Sequence, residues 1–520
     1  MIKLRNLAAL ALTLALASCA APPRIVPAAP APAPRDYGFR RSVDALTYTD
    51  VAYHEWETPE NLTPAPARER TLLIYMNGSD LESDTAAGTR DLKELARSGV
   101  DTERVNVVVF TGGADRWHSK NIPSGECMIS ALDGGKIKNV AAVGLRDMGD
   151  AGTLAAFLKF GLEYYPAEKT SLVLWDHGGG SIAGYGADEK FNMSTLTLLE
   201  LEYALARAGL AEQKLELLGF DACLMASVEM AVVASRYADL LVASESLEPG
   251  DGWDYTAIRA WSDAENSAAQ LGKAVADAFI ASAGPAPEEE LSLSVVKTAE
   301  AENVMGALGL LAEKCAVGLQ NGDFPRLIAL RRDTKTFGDG APPDTDCDMV
   351  DLADLARAFG ALYPEEAALL TGALARAVLY NRYDSDRALG GLSAYHTYGG
   401  GDDAPRSLEV YAKLQMSEKY TRYLVAFASH LPRGSKTTKA PRVSEILGER
   451  VRLYEISRPS GGALYAAPCR VNGARADALV FFENGAASGR LLGYRKRDGY
   501  LLQKGYDPLT PSDALTLKNS

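Results

Sequence analysis

Two stretches decide the fold: Leu172-Val173-Leu174-Trp175-Asp176-His177-Gly178-Gly179-Gly180 and Leu217-Leu218-Gly219-Phe220-Asp221-Ala222-Cys223-Leu224-Met225. Each is a short apolar run that gives way to polar and small residues, which reads as a buried strand and the turn that leaves it. Working outward, similar runs occupy 71–76, 105–111, 171–176, 215–220 and 240–243. Between them, 89–97, 153–164, 195–208 and 226–235 carry a helical period. Strands alternating with helices predict βαβ units, hence an α/β fold with a mostly parallel sheet covered on both faces.

In such sheets ligands and chemistry gather beyond the carboxyl ends of the strands. His177 closes one strand and Cys223 the next, so a thiol and an imidazole can meet there although they lie far apart in sequence. In that pair, His177 would take the thiol proton and later protonate the leaving amine, while Cys223 would attack a carbonyl carbon. Taken singly, a strand-end histidine is more often a surface or hydrogen-bonded residue. A cysteine among Phe, Ala, Leu and Met is more often a small core residue.

Together the two stretches resemble the signature segments of the clostripain family of caspase-like cysteine peptidases. Further segments follow the same pattern in order: 75–81 (Tyr-Met-Asn-Gly-Ser-Asp-Leu), 186–189 (Gly-Ala-Asp-Glu), 194–196, 244–255 and 391–395. The similarity runs over roughly 70–430, and it departs from the family in the first motif, where 77–80 (Asn-Gly-Ser-Asp) replaces an Ala-Asp-Asn type of run. The resemblance implies a caspase-like three-layer α/β/α sandwich and an endopeptidase that cuts after a basic residue, Arg above all. It implies a His177/Cys223 dyad without a required third member, and Asp176 reads as structural. Asp221, two residues before Cys223 and so on the same side of the strand, is the expected pocket acid, its alternative being a capping or turn residue. Asp251 is a second pocket candidate, in a turn that also offers Glu248 and Asp254 and that could simply be solvated. Gly178 and the Cys223 backbone are the expected oxyanion donors, and Lys190 is the expected site of self-cleavage. No cofactor is required; some relatives use calcium, which only the acidic turn 248–254 suggests here, since no spacing follows an EF-hand loop and no metal-ligand cluster is evident.

The ends of the chain bear on location. Lys3 and Arg5 precede an apolar stretch, 7–16, of signal-peptide length, and Leu16-Ala17-Ser18-Cys19 resembles a bacterial lipobox. Cys19 is therefore the expected lipidation site, giving an exported protein anchored to the cell envelope, and Ala20 after it favours the outer membrane of a diderm bacterium. We divide the chain into a signal peptide (1–19), an Ala/Pro-rich tether (20–66), a peptidase domain (67–432) and a small β-rich module (433–520). In the C-terminal half, 299–314 and 350–362 look helical, 388–395 extended, and 450–456, 476–482 and 489–496 are the module's strands. The other cysteines, Cys127, Cys315, Cys347 and Cys469, are free to pair or to stay buried.

Composition excludes some partners. With 520 residues, 47% hydrophobic, 23% charged and a net charge of -14, the chain has room for a sizeable core but no basic groove for nucleic acid. The expected partners are protein or peptide substrates and, through Cys19, a membrane. A serine hydrolase reading of His177-Gly178-Gly179-Gly180 fails because no serine stands in a Gly-x-Ser-x-Gly elbow. The remaining alternative is a catalytically silent surface lipoprotein that binds a peptide or partner.

Overall fold

The computed structural model describes Trp56, residues 62–283, 290–338, 347–398 and 404–431, and the backbone of five C-terminal strands. Cys19, the signal segment, most of the tether and the start of the C-terminal module, 433–453, lie outside the described residues.

One sheet organises the rest. Its strands are β1 (Arg68–Asn77), β2 (Val105–Gly112), β3 (Met128–Asp133), β4 (Lys136–Ala142), β5 (Ala167–Trp175), β6 (Leu217–Asp221), β7 (Leu240–Ala243), β8 (Leu291–Lys297) and β9 (Val378–Asp384). Across the sheet they run β9-β8-β7-β6-β5-β1-β2-β3-β4. The five central strands β7, β6, β5, β1 and β2 are parallel. Antiparallel strands finish both edges.

Alternation along each central strand builds two cores. Leu73 and Tyr75 of β1, Val108 and Phe110 of β2 and Leu172 and Leu174 of β5 face one cluster, with α3 (Ala151–Tyr164), α4 (Leu198–Arg207), α5 (Val228–Ala234) and α7 (Ala301–Gln320) packed on it. Leu72, Ile74, Val107, Val109, Val173 and Trp175 face the other, covered by α2 (Ala87–Arg97) and α6 (Ala268–Ser282). Burial on both faces explains why these strands read as continuous apolar runs, each large side chain contributing about 1.5–3 kcal/mol. The result is the expected three-layer α/β/α sandwich.

Some boundaries differ from the sequence reading. Residues 194–196 form a short strand, and α4 begins only after Thr197, which with Glu200 makes a capping box. Ser227 likewise starts α5 two residues late. In 350–362, the first residues pair as the strand Met349–Asp351 before the helix Leu352–Phe359, and of 388–395 only Ser393–Tyr395 is strand. The C-terminal strands Tyr454–Ser457, Gly462–Val471, Ala474–Glu483, Ala486–Lys496 and Gly499–Leu502 form an antiparallel meander of their own. Among the described residues no helix is long and apolar enough to cross a membrane.

Candidate active site

The chain leaves β1 towards β2 on one side and enters β5, β6 and β7 on the other, so the direction of winding reverses between β1 and β5. A crevice at the carboxyl ends of strands flanking such a reversal is where open α/β sheets place their sites. Three side chains follow those ends: Asp80 after β1, His177 after β5 and Cys223 after β6.

Trp175 and Asp221 are register partners, and the chains continue side by side beyond them. They run so close that a β-carbon on Gly178 would stand 2.0 Å from the Cys223 carbonyl oxygen and 3.1 Å from its nitrogen. Only glycine permits this approach. After Cys223 the backbone turns through Leu224 at φ 65°, a left-handed conformation costly for a branched side chain, and is held there by the Leu224 and Ala226 amides on the Ser246 and Ser244 carbonyls. The Cys223 sulfur lies 3.1 Å from the Glu248 amide, which donates to it. An N–H aimed at sulfur favours the thiolate.

His177 Nε2 is 2.7 Å from Asp80 Oδ1. Burial disfavours the imidazolium, but the charge of Asp176 and the Asp80 bond outweigh it and lift the His177 pKa above the usual histidine value. Burial also acts to raise the Asp80 pKa, yet the histidine holds it below the usual carboxylate value. Asp176 itself is buried and serves as a hub: it accepts from Asn77 Nδ2 (2.7 Å), Ser79 Oγ (2.6 Å) and the Ala187 amide (2.6 Å). Burial pushes its pKa up to about 7 in spite of these donors and of His177.

Beside the dyad is a set of carboxylates. Asp221 is buried and fully engaged, accepting from the Trp253 amide and the Tyr255 hydroxyl, both at 3.0 Å. It thereby clamps the turn that starts at Glu248 onto the end of β6. That turn walls a cleft of about 730 Å³, which is also lined by Asp91, Glu94 and Phe279. Asp91 accepts from Trp175 Nε1 at 2.7 Å. The carboxylate oxygens of half-buried Glu248 are shut off from solvent and face Asp221 and Trp253. Burial raises all three acids: Asp221 to about 7 in spite of its Tyr255, Trp253 and Glu248 hydrogen bonds, Asp91 to about 9 and Glu248 well above its usual value, the charge of Asp221 adding to the rise in the last two.

Asp251 sits at the rim, its side chain 84% exposed and paired with Arg90. Lys190 lies in a 3-10 turn, Glu189–Phe191, next to exposed Phe191 and Met193, with its ammonium 3.5 Å from Asp115. Among the described residues Cys127, Cys223, Cys315 and Cys347 form no disulfide, and all but Cys223 are buried. No group of three or more His, Cys, Asp or Glu side chains among the described residues is arranged to hold a metal ion.

The structure thus brings His177, Gly178, Cys223 and Asp221 together, leaves Asp251 on the surface and half-buries Lys190 in a separate turn. Sequence reasoning passed over Asp80 and Asp91. Asp80 was within its reach, because it follows a strand end as His177 and Cys223 do.

The model of the clostripain family matches residues 74–359. The fold is similar to that of a secreted C11 cysteine protease from Bacteroides thetaiotaomicron in complex with an irreversible peptide inhibitor, at 18% identity over 68% of this chain and 98% of that one, TM-score 0.53. A second structure of a secreted C11 cysteine protease from that organism gives 17% identity, 69% and 100% coverage and a TM-score of 0.52. An inactive zymogen C11 protease from Parabacteroides distasonis gives 18%, 68% and 99%, and 0.50. No curated protein is significantly similar in sequence.

Proposed function

The chain belongs to the clostripain family and is a cysteine-type peptidase, and from that premise we propose that it is an endopeptidase that cuts after Arg or Lys through the His177/Cys223 dyad. The observation that carries this reading is the β5–β6 register, which ends at Trp175 opposite Asp221 with His177 and Cys223 each two residues further on, beside a cleft whose described lining holds several acids and Arg90 as its one cation. His177 takes the thiol proton. The Cys223 sulfur then attacks the scissile carbonyl, and the amides of Gly178 and Cys223 hold the oxyanion. Collapse transfers the proton from His177 to the leaving amine, and water releases the acyl group from sulfur by the same steps in reverse.

The acids support a basic preference. Burial raises the pKa of Asp91, Asp221 and Glu248, and a guanidinium or ammonium entering the cleft would supply the counter-charge that favours their ionised forms. Asp221 and Glu248 are the pocket acids in this reading, and Asp251 acts from the rim. The reaction needs no cofactor. Self-cleavage after Lys190, export, lipidation at Cys19 and anchoring to an outer membrane belong to the same proposal, as does the division at residues 19, 66 and 432.

The test is hydrolysis of matched fluorogenic peptides ending in Arg, Lys or Ala by the purified chain and by Cys223→Ala. Cleavage after Arg or Lys, absent after Ala and lost in the variant, is the expected result. If no peptide is cut, the silent peptide-binding lipoprotein takes its place.

A further inference from the structure

The β1 end carries the one acidic side chain that, among the described residues, hydrogen-bonds the imidazole, and nothing in the dyad chemistry above uses it. Asp80 accepts from His177 at 2.7 Å, with the two side chains 46% and 33% exposed. An ionised carboxylate has no proton to give, so the contact requires His177 Nε2 to be the donor. That leaves Nδ1 as the nitrogen that exchanges a proton.

The position of Asp80 is built, since it is not a free surface rotamer meeting a histidine by chance. Ser79 is forced into the left-handed region (φ 44°), and its hydroxyl donates to Asp176 Oδ1 while Asn77, two residues earlier, donates to Oδ2. Asp176 immediately precedes His177. The residue next to the base therefore holds the turn that presents Asp80 to that base, and the two positions are fixed by one buried carboxylate. Such a closed circuit constrains the imidazole ring both from its backbone and from its far nitrogen.

We propose that Asp80 is a positioning residue, which turns the dyad into a Cys223–His177–Asp80 relay by fixing the tautomer with Nε2 protonated and the ring aligned for proton exchange at Nδ1. The proposal rests on the peptidase reading above. The titratable groups around the imidazole are Asp176 beside it in the segment after β5, Asp80 on the β1 turn and Cys223 in the segment after β6. Removing the Asp80 charge leaves the other two in place.

The experiment compares the full chain with Asp80→Asn, Asp80→Glu and Cys223→Ala. It has two readouts: steady-state kinetics on an Arg peptide across pH, and the rate of Cys223 alkylation by iodoacetamide across pH, which needs no turnover. For Asp80→Asn we expect kcat to fall roughly tenfold to a hundredfold with KM changed less than about twofold. The pH limb belonging to His177 should move to lower pH in both readouts, and Asp80→Glu should recover part of kcat. Unchanged kcat and unchanged pH profiles in Asp80→Asn would overturn the proposal. So would a rise in kcat, which would make the contact a restraint on the enzyme. If the native chain cuts no peptide, the peptidase reading fails by itself, and the alkylation profile still decides whether Asp80 governs the His177–Cys223 proton.

Discussion

Gly178 shows how tightly one residue can fix this chemistry. Adding a single carbon there would place it 2.0 Å from the Cys223 carbonyl oxygen, which is well inside van der Waals contact and involves backbone on the other side. No side chain can rotate to relieve it, so the two strand ends must part. A displacement of about 1 Å between reacting groups is enough for a loss on the order of a hundredfold. We expect Gly178→Ala to lower kcat/KM by about that factor while far-UV circular dichroism stays unchanged, because the clash lies beyond the hydrogen-bonded part of β5 and β6. Retention of full activity would mean that the two strand ends can separate without disturbing the reaction. Leu224 is strained at φ 65° on the other side of the nucleophile, so the thiol is held between two backbone constraints.

The turn from β1 into α1 (Ser79–Thr85) is the element on which two opposing terms can be weighed. Ser79 at φ 44° costs about 1 kcal/mol that glycine would recover. Its hydroxyl, however, donates to Asp176, and a hydrogen bond to an ionised carboxylate contributes about 1.5–3 kcal/mol. The bond therefore outweighs the strain. We expect Ser79→Ala, which keeps the strain and loses the bond, to be destabilised by about 1.5–3 kcal/mol. Ser79→Gly should lose about 1 kcal/mol less. Because Asp176 titrates near pH 7, the difference from the native chain should be read by thermal melting at about pH 8, where the carboxylate is ionised. Equal melting points for the two variants would show that the backbone of Ser79 carries no strain worth relieving.

At the scale of the whole molecule, what the sequence made legible was what repeats in it. The five parallel strands are buried on both faces, so each appears as an apolar run, and the His and Cys stand where those runs stop. The sheet edges did not stand out for the same reason. β4 has the sequence Lys-Ile-Lys-Asn-Val-Ala-Ala and is largely exposed, β8 alternates serine with leucine, and β9 carries Asn, Arg and Asp. The acids of the cleft were partly hidden because Asp91 comes from α2, on another element than the turn it faces, and only folding joins them. Their gathering has a consequence for the entire fold. Asp91 and Asp221 hold their protons up to about pH 9 and 7 in the native state, whereas in the unfolded chain they release them near pH 4. Between those values the native state binds more protons than the unfolded one, so these groups contribute stability that is complete below about pH 4 and is lost as pH rises through 7 and then 9. Asp91→Asn keeps an oxygen to accept from Trp175 Nε1 and has no charge to bury. Its melting temperature should therefore fall less than that of the native chain between pH 6 and pH 9.5. Parallel curves for the two proteins would show that Asp91 is already ionised in the folded state, and that a cation or solvent reaches it through the cleft.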